Sequence, residues 1–146
     1  MRKGNGTDFH VDVEWKPATG AAENIGRFTF GRRTMRDTFL IRSEYNRLSN
    51  GNYGHNGLPV DIGAWAVATL SVLMVEAPAS FDLDKVDPLM DDTWEDKTAA
   101  VFDALRAMEL SFRPKRGAEV QAASPPTSDK LPTGVPAQVQ PAANGF

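Results

Sequence analysis

The side chains able to do acid–base or metal chemistry are few and scattered. Among 146 residues there are two histidines, His10 and His55, and no cysteine. The lack of cysteine removes thiol nucleophiles, disulfide scaffolds and cysteine zinc sites together. His10 and His55 are far apart and lack ligand-type spacing, and each is expected to face water. Carboxylates are plentiful, and Asp82, Asp84 and Asp87 invite a calcium reading. An EF-hand loop wants oxygen ligands at its first, third and fifth positions, glycine at the sixth and glutamate at the twelfth. Counted from Asp82, the last three places hold Val86, Asp87 and Thr93, so the loop fails. Gly51 to Gly57 is glycine-rich but lacks the Lys-Ser or Lys-Thr of a phosphate-cradling loop, and no serine sits in a nucleophile elbow. The residue types therefore predict a non-enzymatic protein without cofactor or metal.

The composition is that of a globular chain, 41% hydrophobic and 24% charged, with a net charge of -3. The length suits one domain. Phe9-His10-Val11-Asp12-Val13-Glu14-Trp15 alternates apolar and polar residues, the pattern of a half-buried strand, and Pro17 ends it. Asn24 to Arg32 alternates again through Phe28 and Phe30, which predicts an antiparallel strand pair. Such a pair needs an apolar partner. Thr34 with Asp37 marks a helix start, and Ile41, Tyr45 and Leu48 continue it at helical spacing to a stop at Asn50-Gly51. Pro59 fits the first turn of a second helix through VDIGAWAVATLSVLMVEA, apolar nearly all round. The β-branched Val72 and Val75 leave its last turn open to an extended form, and Pro78 closes it. Its longest uncharged run, Ile62 to Val75, has 14 residues, short of the roughly 20 that span a membrane. A third helix is expected from Asp91-Asp92, with Trp94, Val101, Leu105, Met108 and Phe112 as an amphipathic stripe, before Pro114. From residue 117 onward, half of the ten prolines fall within the last 30 residues. That predicts a disordered tail. The division is a flexible N-terminus over 1–8, a single α+β domain over 9–115 with a small antiparallel strand pair packed on about three helices, and a disordered C-terminal tail over 116–146.

Charge falls in blocks. Residues 1–60 carry a balance of +3 and residues 61–112 a balance of -8. Arg32, Arg33 and Arg36 stand within the basic block; Asp82, Asp84 and Asp87 open the acidic one. One reading makes these solvated faces, or blocks paired inside the fold. The other makes them complementary patches for head-to-tail self-association or for a partner. Arginines could also meet DNA phosphates, but a glycine-rich loop of about ten residues replaces the short turn of a helix-turn-helix, so nucleic acid is disfavoured.

GRFTFGRRTMRDTFLIRSEYNRLSNG, DIGAWAVATLSVLMVEAPASFDLDKVDPLMDD and VFDALRAMELSFRP follow one another in an order that resembles the tail assembly chaperones of long-tailed bacteriophages. The resemblance rests on an apolar helix running into Ala77-Pro78, then Phe81-Asp82-Leu83-Asp84, the acidic start Asp91-Asp92 and the end Phe112-Arg113. It covers residues 25 to 115. It implies a protein of the host cell cytoplasm that binds the tape measure protein, a very long helical chain, and helps the tail tube polymerise around it. It also implies a longer frameshifted form that reaches the tail tube protein. Under this resemblance Trp94, Val101, Leu105, Met108 and Phe112 become a candidate contact surface, against the plainer reading that the stripe is core. A structural virion component, such as a minor tail or head–tail connector protein, and a DNA-binding regulator remain alternatives.

Overall fold

Both alternating runs are strands in the computed structural model, which describes residues 2–115. The segment 116–146, expected as a tail, lies outside the described residues. The order is β1 (Phe9–Trp15), β2 (Glu23–Phe30), α1 (Met35–Ser49), α2 (Ile62–Leu73), β3 (Met74–Glu76) and α3 (Trp94–Ser111). The fold is α+β: three helices and a three-stranded antiparallel sheet ordered β1-β2-β3. The expected pair thus gains a strand, because the apolar run of α2 turns extended at Met74 and pairs with Phe30 and Thr29. One face of the sheet carries Val11, Val13, Phe28 and Phe30, all buried against Ile41, Leu70, Leu73, Val101 and Leu105 from the helices. The period-2 alternation of β1 thus places its apolar residues on the helix-facing side.

Thr34 and Asp37 form a capping box on α1: the Asp37 N–H donates to the Thr34 hydroxyl at 3.2 Å, and the Thr34 N–H donates to the Asp37 carboxylate at 2.8 Å. Asn50, in the left-handed region at φ 56, ends the helix as its composition predicts. Tyr45, fully buried, ties the following loop to α1. Its hydroxyl donates to the Asn52 carbonyl and accepts from the N–H groups of Val60 at 3.1 Å and Asp61 at 3.2 Å. Pro59 does not open α2. It bridges to Tyr53, and Asp61 caps the helix by accepting from the Ala64 N–H at 2.9 Å. The start of α3 also moves, from the acidic pair to Trp94, since Asp91 is occupied with the Thr93 N–H and hydroxyl.

The segment before Phe9, expected to be flexible, is anchored at Arg2. Its N–H donates to the Met74 carbonyl at 3.1 Å, on the open edge of β3, and its guanidinium reaches Asp37 at 2.8 Å. An uncovered strand edge leaves carbonyls without partners, and the chain start covers this one. Burial alone would raise the Asp37 carboxyl; the Thr34 N–H and hydroxyl and the Arg2 guanidinium outweigh it and hold the group below the usual carboxylate range. A carboxyl depressed in the folded state stabilises the fold above its unfolded pKa, and that contribution is lost as the pH falls through the folded value. The urea midpoint should therefore decline below about pH 4. It should decline less steeply in Asp37→Asn, with the residual slope left to Asp12, Glu44, Asp82 and Asp91, which Arg27, Arg47, Lys85 and Thr93 likewise depress. Equal slopes for the two proteins would contradict this.

Candidate functional site

An apolar recess lies between α2 and α3, a groove of about 660 Å³. It exists because small side chains face each other there: Gly63 and Ala66 on α2, Ala99 on α3. Two helices whose facing positions are small leave a trough where larger ridges would interlock. Leu48 from the end of α1, with Ile62, Ala64, Val67, Trp94 and Phe102, lines the rest of the apolar surface, and Ile62 is 63% exposed. Asp61, Glu95, Asp103 and Arg106 supply the charges around it, all exposed. The Arg106 guanidinium lies 5.7 Å from the Phe102 ring centre. Trp94 Nε1 and Thr98 Oγ1 are buried without a hydrogen-bond partner, a cost the domain carries at the edge of the groove.

The expected contact stripe divides. Val101 and Leu105 are fully buried in the domain's own core, so neither is free to meet a partner, and the stripe as a whole is not a contact face. An amphipathic pattern reports that a helix buries a face; here that face is buried on the sheet and on α2. Met108 packs at the margin of the core. Trp94 reaches the groove. Phe112, 39% exposed, packs edge-on against Phe9 at 5.1 Å and lies under the Arg32 guanidinium, 4.4 Å from its ring centre. Sequence pattern missed Phe102 and Ala99, because a groove floor shared by two helices has no period in either.

The charged candidates are placed apart. Arg33 makes a two-pronged bridge to Glu109 at 2.8 and 2.7 Å, Asp82 pairs with Lys85 at 3.0 Å, and Asp87 accepts from the Leu89 N–H at 2.9 Å. Asp84 and Arg36 are exposed. Among the described residues no ion pair joins the arginines between Arg27 and Arg47 to the carboxylates between Asp82 and Asp96. The arginine run 27–47 and the acidic run 82–96 are therefore not each other's partners within one chain, although Arg33–Glu109 joins residues 1–60 to residues 61–112.

Two exposed apolar patches accompany them. On α1, Met35 and Phe39 stand one turn apart and outward, Phe39 63% exposed, with Arg36 and Arg42 to either side. In the loop before α3, Leu89 and Met90 are 93% and 85% exposed, between Asp87 and the pair Asp91-Asp92. The loop is a built turn, since the Asp87 carbonyl accepts from both the Met90 and the Asp91 N–H.

One cluster brings a histidine to a hydroxyl. His10, exposed as expected, has Nδ1 3.0 Å from Thr29 Oγ1, and that hydroxyl donates to Glu76 at 3.3 Å. With the hydroxyl proton directed at Glu76, His10 Nδ1 carries the proton that Thr29 accepts. A nucleophile activated by histidine needs the opposite direction, with the carboxylate behind the imidazole. The row is a cross-strand ladder over β1, β2 and β3.

No protein-family model matches the chain, and no curated protein or solved structure matches it significantly. Among the described residues no helix is long and apolar enough to cross a membrane, and no group of three or more histidines or carboxylates is placed to hold a metal ion.

Proposed function

We propose that the chain is a phage tail assembly chaperone, binding the tape measure protein in the host cell cytoplasm and assisting tail tube assembly. The observation that carries the reading is the apolar groove between α2 and α3, unfilled by the domain's own side chains. A chaperone for a long amphipathic helix needs such a groove, read by anchors at helical spacing, and several copies along the client. The resemblance supports it, and its segments have structural reasons here: Pro78 closes on Gly26, and Phe81 packs edge-on against Phe28 at 5.0 Å. Copies associate head to tail, the acidic Leu89-Met90 turn of one meeting the arginine-flanked Met35-Phe39 face of the next. Contact with the tail tube protein belongs to a longer frameshifted form. A DNA-binding role is weakened because Arg27, Arg33 and Arg47 are held by carboxylates and Arg32 by Phe112.

Co-expression with the candidate client, a long helical tape measure protein, tests the reading. The client is expected in the soluble fraction, co-purifying with this chain, and the chain is expected to be absent from purified virions. An insoluble, unbound client together with the chain at fixed stoichiometry in virions would replace the chaperone by a structural virion component. Retardation of DNA with steep salt dependence would favour a regulator.

A further inference from the structure

The groove has a charge as well as a shape. Of the four charged side chains around it, Asp61, Glu95 and Asp103 are acidic and Arg106 alone is basic. Arg106 is itself turned over the Phe102 ring, where a cation is favourable against the π face. The apolar floor thus offers carboxylates at its edges and an aromatic face that already holds a guanidinium.

We propose that the segment received here is an amphipathic helix whose apolar anchors are flanked by lysine or arginine, one cation taking the place of Arg106 over Phe102. This rests on the groove being the client site of the chaperone. Asp61 keeps part of its capacity for the Ala64 N–H, so Glu95 and Asp103, on exposed turns of α3, carry most of the selection. Exposed charges act chiefly through the rate and specificity of encounter, so the preference should fade as salt screens it.

The test uses the full chain and two labelled helical peptides of about 20 residues, long enough to hold helix. They share leucine and alanine anchors and differ only in lysine or glutamate flanks. By fluorescence anisotropy the lysine peptide should bind at least about tenfold tighter at about 0.1 M salt, where the Debye length is about 10 Å, and lose most of that margin at about 1 M. Glu95→Lys with Asp103→Lys should invert the preference. Ala99→Trp, at an exposed helical position, should fill the groove and abolish binding of both peptides while circular dichroism stays unchanged. Equal binding of the two peptides, or binding untouched by Ala99→Trp, overturns the proposal. If neither peptide binds while the tape measure protein is still solubilised, the groove assignment falls and the chaperone reading stands. If the charge preference holds but the client stays insoluble, the chaperone reading falls alone.

Discussion

Gly26→Ala is expected to lower the stability of the domain by about 3 kcal/mol, with no loss of any exposed side chain. Gly26 sits at φ +129, a backbone region that side chains with a Cβ rarely adopt, and forcing one there costs of order 1–3 kcal/mol. A Cβ built on it would lie 2.6 Å from the Cγ of Pro78, a rigid ring that cannot swing aside; overpacking of this kind adds about 1–3 kcal/mol. The position is fixed by the sheet. Val13 faces Gly26 and Glu14 faces Asn24, so Ile25 is the extra residue of a bulge in β2. The bulge brings Pro78 down on Gly26 just after β3. Thermal unfolding should show Tm lower by at least about 10 °C. Gly6→Ala is the control: nothing lies within 4 Å of its Cβ position, and it should move stability by less than about 0.5 kcal/mol. A Gly26→Ala protein as stable as the control would mean that the bulge and its contact with Pro78 are not what shapes this end of the sheet.

The same region marks where sequence reasoning stops. Alternation revealed β1 and most of β2, since each buries one face and the period of two survives in the letters. The capping residues Thr34 and Asp37 and the stop at Asn50 were legible because their chemistry is local. β3 was only half legible. Its first two residues, Met74 and Val75, end a run apolar on every side, where helix and strand leave the same pattern. The anchoring of Arg2 was not legible at all, because it depends on the β3 edge and on the side chain of Asp37. The candidate site fared similarly. The stripe on α3 was real, but a single helix cannot say which neighbour covers it, and Val101 and Leu105 proved to be covered by the domain itself. The groove comes from Gly63, Ala66 and Ala99, small residues on two helices, and small residues leave no mark in an apolar pattern.

Phe39→Asp and Leu89→Asp should each leave the chain monomeric, and mixing the two variants should give a one-to-one heterodimer that grows no further. The proposed contact joins two different patches, so it is heterologous, and each wild-type copy has one free face at either end. The wild-type chain should therefore gain mass with concentration and lose it with salt. Phe39 is the exposed apolar centre of the α1 face, and Leu89 is the most exposed large apolar side chain among the described residues. Neither supports the core, so an acid at either position leaves the fold intact. The turn that presents Leu89 is held by three hydrogen bonds to Asp87, which reduces the ordering cost of docking. An anchor of this kind is worth about 2 kcal/mol or more, so each variant should weaken self-association at least about thirtyfold. In the mixture, the intact turn of the Phe39→Asp chain meets the intact α1 face of the Leu89→Asp chain, and the two remaining faces carry mutually repelling acids. A two-fold symmetric contact built on either patch alone behaves differently, because the variant that keeps that patch would still dimerise by itself. Light scattering on the two variants and their mixture separates these cases, and a wild-type chain that remains monomeric at high concentration would remove self-association from the proposed mechanism.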